Sequence, residues 1–450
     1  MKKLFLTAML YCVAFISNAQ TLGYNDIGVL FSKEKINGTA RYNAMSGAFG
    51  ALGGDLSAIE TNPAGAAVFL NSEFALSLNI KNTETNVNYY GNNEFSENDI
   101  TSLSQAGGVF VFQSYSRNSD WGKIAIGFNY SIANDFETQW FAKGNNNYPT
   151  WIDDPNDDNI QYLDTDGQYF ENFNDGRNDK YSFTFASELN NSIYLGASFS
   201  TYDIENLQRI LLEEYNKDSN GNTLDASLIQ ELYTYGEGFS FNVGLISKAT
   251  ENMRLGLAYQ SPVWYTLSED YLDADLEVYV SNTDELITDY SGFNAFDYKL
   301  RTPSKLTGSF AYIFEKQGLI SIDYIYKNYS NIELDMAGNF GFIEENKAFN
   351  TDLEARGELR MGTEWRFDKL SIRGGYHFEK SPYKNALDSD ATEGFSLGAG
   401  YKFRGGKIDA SYQKDTNTAA YNFYPQYNNI NAAELDIDTS KFTITLVLNI

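Results

Sequence analysis

The fold class this sequence predicts is all-β: an antiparallel transmembrane barrel of about fourteen strands, closed around an N-terminal plug of small residues. Three observations predict it. Apolar and polar residues alternate with period two from residue 72 to the end of the chain. The connections between alternating runs are short at one end and long at the other. A stretch without alternation, GALGGDLSAIETNPAGAAVF (50–69), stands ahead of the first run.

At the N-terminus, Lys2 and Lys3 precede an apolar run from Leu4 to Ile16, and Ser17 and Ala19 stand at the spacing a signal peptidase reads. Residues 1–19 therefore read as a signal peptide cleaved before Gln20. A lipoprotein reading of Cys12 is weak, because bulky Tyr11 precedes it. Cleavage removes the one Cys of the sequence, leaving a mature chain without disulfide or thiolate chemistry.

Residues 20–71 form the second unit. Asp55 stands where a helix N-cap belongs in DLSAIE. In NPAGAAVF, Asn62 is the cap and Pro63 occupies the first helical position. Two short helices joined by turns are expected. Gly53 and Gly54 permit backbone angles or a close approach that a Cβ would forbid. A fourteen-strand barrel is too wide for its own side chains to fill, so a small-residue segment can thread into its lumen.

Residues 72–450 form the barrel. In SEFALSLNI, Phe74, Leu76, Leu78 and Ile80 share one face, and KIAIGFNYSI repeats the pattern with Ile124, Ile126, Phe128, Tyr130 and Ile132. FSFNVGL, GLISIDYIY and the terminal KFTITLVLNI do the same. Short turns are read at 117–120, 190–191, 250–252, 315–318, 368–369 and 404–406. Long polar stretches are read near 91–104, 145–180, 211–236, 271–295, 336–350, 384–393 and 424–433. Mean hydropathy of −0.40 does not argue against a membrane barrel, since only alternate residues meet lipid. Aromatic content of 16% with 36 Gly and 7 Pro favours strands over helix bundles.

Charge decides which face is outside. Glu358, Arg360, Glu364 and Arg366 lie opposite Leu359, Met361 and Trp365, and Arg373, His377 and Glu379 lie opposite Ile372, Tyr376 and Phe378. Arg or Lys toward lipid costs roughly 2–4 kcal/mol at the midplane, so the charged sets face the lumen. The same alternation places Lys299, Arg301, Lys305 and Asp323 there. A soluble β-sandwich is the competing fold, but it needs neither Tyr and Trp girdles nor long loops on one side only.

The segment GTARYNAMSGAFGALGGDLSAIETNPAGAAVF resembles the N-terminal hatch of the FadL/OmpP1/TodX outer membrane transporters. Asn62, Pro63 and Ala64 match the family's Asn-Pro-Ala motif, and Gly65 extends it. MRLGLAYQSPVWYTL, YKLRTPSKLTGSFAYIF, GLISIDYIYKNYS and ELRMGTEWRF resemble the branch of this family found in Bacteroidetes-type bacteria. The sequence departs at its last residue, where Ile450 replaces a terminal aromatic. The resemblance implies a hatch-plugged outer membrane barrel for passive uptake of hydrophobic molecules, such as long-chain fatty acids. It further implies a lumen pocket and a lateral exit through a kinked strand.

Candidate site residues follow. Phe49, Leu52 and Ile59 are candidates for apolar pocket wall, or equally for hatch core. Arg301, Glu358, Arg360, Glu364, Arg366 and Arg373 form a lumen charge network, read chiefly as anchoring the hatch and alternatively as holding a substrate carboxylate. Ala133, Asn134 and Asp135 mark the lateral exit, because Asn134 falls in the outward register of Ile124 to Ile132, before Phe136 and Trp140 resume it. The bland alternative puts Asn134 at the membrane interface. His377 is the one His and points inward, which leaves no Ser–His pair on the outer wall. DTDG (164–167) and DSNGN (218–222) resemble calcium loops only faintly and read as solvated turns. No enzyme, cofactor or metal is expected. Sixty Asp and Glu against 33 Lys and Arg argue against nucleic acid. The expected partners are a hydrophobic small molecule and outer membrane lipids, around a monomer. A surface barrel without transport is the alternative function, and a polar porin a third, disfavoured by the plug.

Overall fold

The computed structural model describes residues 24–113, 120–157, 159–290, 293–336, 341–425, 427 and 429–450. The signal peptide and most of the 117–120 turn lie outside these residues. Nineteen strand segments form one antiparallel sheet that closes on itself, β1 (Glu73–Tyr89) pairing with β19 (Ala433–Asn449) from Glu73↔Asn449 to Asn88↔Glu434. Closure is what a membrane wall requires, since an open edge in hydrocarbon strands backbone polar groups.

Several segments are successive pieces of one wall strand, so the barrel has fourteen strands. β3 (Trp121–Asp135) and β4 (Thr138–Gly144) are one such pair, as are β8 (Met253–Gln260) and β9 (Trp264–Val280). β10 (Glu285–Tyr290), β11 (Phe293–Arg301) and β12 (Lys305–Phe314) make another strand, and β13 (Gly318–Asn328) with β14 (Glu333–Asp335) the next. Pro262 and Pro303 stand at two of the breaks, where a missing N–H cannot join a central ladder. The remaining strands are uninterrupted: β2 (Asn92–Gln113), β5 (Asp164–Leu189), β6 (Ile193–Lys217), β7 (Thr223–Lys248), β15 (Ala355–Phe367), β16 (Leu370–Glu379), β17 (Thr392–Phe403) and β18 (Gly406–Tyr421).

The expected outward register holds around the lower wall: Phe74, Leu76, Leu78, Ile80, Ile124, Ile126 and Phe128 are exposed on the outside. Tight hairpins join strands at that end. Asn190 and Asn191 both have positive φ (49° and 56°), the geometry of a two-residue hairpin turn.

Of the long polar connections, 336–350, 384–393, 424–433 and the first half of 145–180 do fall largely between strands, whereas 91–104, 211–236, 271–295 and the second half of 145–180 are mostly strand. Residues 92–104 belong to β2, and β1 turns directly into it through Tyr90 and Gly91. β5, β6 and β7 run for 26, 25 and 26 residues, where about 9–11 suffice to cross a bilayer. The strands simply continue above the membrane. There both faces meet water or protein, so the outward apolar signal disappears while the backbone ladder persists.

Register also shifts where strands break. Arg301 and Lys299 are exposed on the outer face, and Arg301 bonds Glu333 at 3.0 Å; neither is lumenal. The break at Thr302–Ser304 reverses the alternation, so Lys305 points inward to Glu34 at 2.6 Å. Period-two counting cannot cross such a break.

The N-terminal segment lies inside the barrel as α1 (Tyr24–Ser32), α2 (Ala40–Asn43), α3 (Ala58–Thr61) and a 3-10 turn at Pro63–Val68. Residues 38 to 59 are buried throughout except Gly54, which is half-buried. The wall makes room with its own glycines. A Cβ at Gly196 would run into the Pro63 and Ala64 backbone, and one at Gly244 into the Asn62 side chain; Gly256 and Gly375 are crowded by Gly50 and Met45. Over the other end, the fully buried Glu214 carboxylate accepts from Thr150 N (2.6 Å), Trp151 N (3.0 Å), Asn216 Nδ2 (2.7 Å) and Tyr424 Oη (2.9 Å). Those bonds tie two loops across the top.

Gly196→Ala should therefore cost about 1–3 kcal/mol by overpacking. The urea unfolding midpoint in detergent should fall while heat-modifiable gel mobility, which reports barrel closure, stays intact.

Candidate functional site

The Asn-Pro-Ala-Gly turn is built as its residue types demand. Asn62 is almost fully buried; its side-chain oxygen accepts from Ala64 N (3.2 Å), capping the turn that Pro63 opens. Its amide nitrogen donates to Gly50 O (2.7 Å) and to Leu245 O of the wall (3.1 Å). Gly65 is small because its Cα lies against Gly53, and Gly54 N donates to Gly65 O at 3.1 Å. Asp55 does not cap a helix. α3 begins after Ser57, and the Asp55 carboxylate instead accepts from Ser57 N (3.1 Å) and Thr39 Oγ1 (2.8 Å).

Ionic and polar bonds moor this segment to the wall. Arg41 donates to Glu364 at 2.7 Å, Arg373 donates to the same carboxylate at 2.7 Å and to Asp409 at 2.6 Å, and Arg366 reaches Glu364 from the rim at 2.8 Å. Glu358 pairs with Arg360, whose Nη1 donates to Tyr42 Oη at 3.0 Å. Asp323 accepts the Phe49 and Gly50 amides at 2.9 and 2.8 Å. Five of the six predicted network residues thus converge on the segment's seat, Arg301 excepted. His377 is buried in the lumen, 3.4 Å from Asp415.

The wall itself parts between β2 and β3. β2 pairs with β3 only from Gln105↔Ser131 to Gln113↔Lys123, and above this point β3 is paired with β5 alone. A bulge at Ser104 on the β1 side and another at Ala133 on the β5 side mark the level. The N-terminal segment takes over the carbonyls that β2 abandons. Ile132 O accepts from Asn37 Nδ2 at 2.9 Å, and Ala133 O accepts from Lys35 N at 3.0 Å. Asn37 is held in turn by Asn79 Nδ2 at 2.7 Å, and Asp135 bonds Lys81 of β1 at 2.8 Å.

Asn134 does not face lipid. The bulge turns it inward, where it is buried and donates to Leu30 O at 3.1 Å. Phe136 and Trp140 are likewise inside: Phe136 packs on Phe31, and Trp140 on Phe170 and Phe423. Alternation counted from the lower wall fails here because Ala133 has no partner residue on β5 and inverts every position after it.

Above the segment, the lumen is packed with apolar side chains. Ile27, Val29 and Phe31 of α1 meet Tyr202, Ile204, Leu267 and Leu300 of the wall. α4 (Ile343–Asp352) of an outer loop closes over them, Phe349 lying against Gly28. Below this column, a polar cavity of about 50 Å³ is lined by Glu34, Lys35, Tyr42, Glu60, Lys305 and Arg360, among others. Phe49 and Leu52 belong to one buried cluster and Ile59 to another; none lines the cavity, so they are core of the segment. DTDG opens β5, where Asp164 and Asp166 both reach Lys217.

Sequence reasoning missed Glu34, Lys35, Asn37, Arg41 and Glu60. Glu34 is shared by Lys305 (2.6 Å), Gln260 (3.0 Å) and Lys180 (3.8 Å), and Glu60 accepts from Ser131 at 2.8 Å. The available signal was charge inside a segment read as a plug: a plug residue that carries charge must find its partner on the inner wall.

Glu364→Gln would leave Arg41 and Arg373 short of their shared anion in a buried site. Breaking such a pair typically costs about 3–5 kcal/mol. Limited proteolysis should cut the N-terminal segment faster in this variant, with the barrel still resistant.

Comparison with known proteins agrees with this geometry. No curated protein sequence matches the chain. Among solved structures it is similar to a Pseudomonas aeruginosa FadL homologue (TM-score 0.61, 15% identity, covering 93% of this chain and 99% of that one). It is similar also to the Pseudomonas putida toluene transporter TodX (0.54, 15%, 93% and 100%) and to the CymD monoaromatic hydrocarbon channel (0.54, 14%, 94% and 98%). At these identities the likeness speaks for the fold. The family model for the outer membrane protein transport protein family (OMPP1/FadL/TodX) matches residues 179–441, more than half of the sequence. The chain belongs to this family of outer membrane transport channels.

Proposed function

We propose that this chain passively admits hydrophobic small molecules, long-chain fatty acids or similar, with residues 20–71 as the hatch and the parting of β2 and β3 as a lateral exit. One observation carries the reading: above Ser131 the wall is completed by the hatch rather than by a strand. Backbone groups in hydrocarbon must be satisfied, so a hatch that lends partners to Ile132 and Ala133 keeps the exit sealed. Withdrawing residues 33–37 breaks that seal and opens the wall in a single movement. Ala133, Asn134 and Asp135 are then the exit's rim.

The apolar column that Ile27 and Phe31 of the hatch form with the wall marks the cargo's route through the lumen. The printed names of TodX and CymD, a toluene transporter and a monoaromatic hydrocarbon channel, are in keeping with a hydrophobic cargo. Lys35 distinguishes a cargo with an acidic head. It lines the polar cavity and has no carboxylate within 4 Å among the described residues. Lys35 keeps an accessible surface in the lumen; desolvation inside the barrel, and after it the neighbouring Lys81, lower it to about 8 against the opposing pull of Asp135 and Asp415.

The filled lumen is the observation that favours the other reading, a surface barrel without transport. A ligand-sized pocket runs to about 300–1,000 Å³, and the cavity at the hatch is far smaller. On the transport reading, cargo displaces α1.

Asn37→Ala removes the bond to Ile132 O and the one from Asn79. Conductance bursts in planar bilayers should become more frequent and hydrophobic-substrate uptake should change, at normal heat-modifiable mobility. A variant as closed and as active as the parent would exclude residues 33–37 as the seal. Deleting residues 20–70 should give a folded, leaky barrel.

The lowered Lys35 gives a pH test. Its charge is present well below pH 8 and lost as pH rises through that value, so a carboxylate held there should be released over the same range. Affinity for a fatty acid should fall several-fold between pH 7 and 9, as measured by tryptophan quenching. Affinity for an uncharged hydrocarbon should not. Lys35→Met should abolish the difference.

A further inference from the structure

We propose that a belt of neutral amides in the upper lumen is a binding station for the hydroxyl or amide N–H of an amphipathic cargo. The belt comes from three adjacent strands. Asn172 and Asn174 of β5, Asn206 and Gln208 of β6 and Gln230 of β7 all face inward, and each is more than nine-tenths buried. Asn174 stands directly opposite Gln208, and in the next row Ile210 stands between Asn172 and Gln230.

Apolar side chains bound the belt on both sides along the same strands. Below it are Ile204 and Leu232, part of the column that holds α1. Above it are Phe170, Leu212 and Leu228 of a second buried cluster, in which Trp140 and Phe423 also pack. A polar lining is ordinary where a barrel encloses an aqueous channel. Here it interrupts an apolar one.

Three members of the belt have nothing to bond. The side chains of Asn172, Asn174 and Asn206 make no hydrogen bond among the described residues, and the oxygen of each is fully enclosed. Lower on β5, Asn178 donates to Tyr265 Oη at 2.8 Å and leaves its own oxygen without a donor. Buried polar groups without partners are costly, and native chains keep few of them. These four share one chemistry: each is an acceptor, held by the rigid wall and turned into the lumen.

Charge is missing from the same surface. No inward residue is ionisable along 170–178 of β5, 204–212 of β6 or 228–234 of β7. A carboxylate finds no cation on these strands, and a plain hydrocarbon leaves the oxygens unpaired. An apolar molecule that carries a hydroxyl or an amide N–H satisfies both the oxygens and the clusters on either side of them. This assigns a substrate class within the transport reading, on which it rests.

The test uses the full chain in detergent with Trp140 as its one tryptophan, after Trp121→Phe, Trp151→Phe, Trp264→Phe and Trp365→Phe. Trp140 is paired with Asn172 across the β4–β5 ladder, so its emission reports on the belt. Three brominated quenchers share one twelve-carbon chain: the alkane, its terminal alcohol and the methyl ether of that alcohol. At equal mole fraction in the micelle the alcohol should bind about tenfold more tightly than the other two, since the ether keeps the oxygen but has no proton to donate. Asn174→Leu with Asn206→Leu should erase that preference without lowering the urea midpoint, because neither amide has a bond to lose. Asn174→Ala with Asn206→Ala covers the case in which Leu overfills the site. Equal quenching by alcohol and alkane before these substitutions would leave the belt to water and overturn the proposal. So would a loss of stability in both double variants. Quenching by none of the three would instead remove the lumen as a cargo route, and the transport reading would fall together with the proposal.

Discussion

Every part of this molecule answers to one constraint: in hydrocarbon, a strand edge without a partner is not tolerated. The chain satisfies it around nearly the whole circumference by closing β1 on β19. At one place it does not. β3 leaves β2 above Ser131, and the debt falls on the N-terminal segment, whose Lys35 amide and Asn37 side chain become the missing donors. The segment is thus part of the wall as well as its plug, and its position and the integrity of the barrel are coupled through two hydrogen bonds.

A segment with that task must be held firmly yet lie close to the wall. Small residues meet wall glycines at Pro63–Gly196 and Asn62–Gly244, which brings backbones within reach of one another. Charge then fixes the register, Arg41 on Glu364 and Glu34 on Lys305. Buried ions of this sort contribute little net stability compared with apolar packing, but their loss is costly and their geometry is demanding. That suits a plug that has one seat. The charged lumen is therefore largely spent on anchorage.

Legibility in the sequence followed the physics of burial. Where one face meets lipid and the other the lumen, alternation is strict, and β1, β3 below Tyr130 and β19 were readable residue by residue. Above the bilayer that contrast vanishes, and residues 92–104 passed for a loop although they are strand. Counting failed at each interruption: Arg301 and Asn134 were both assigned to the wrong face, because the break after Arg301 and the bulge at Ala133 reverse parity without leaving a mark in hydrophobicity.

The sequence by itself determined the barrel, its direction, the small-residue segment ahead of it and the capping geometry of Asn62 and Pro63, since each depends on local periodicity or on residue type. Only the tertiary structure decided where β2 and β3 part, that Asn37 and Lys35 complete the wall there, and that Glu34, Arg41 and Glu60 are charges that seat the N-terminal segment. Those contacts join residues up to 323 apart in the chain, as Arg41 and Glu364 are. No local pattern encodes them; they exist because a closed barrel brings its whole inner wall to bear on one threaded segment.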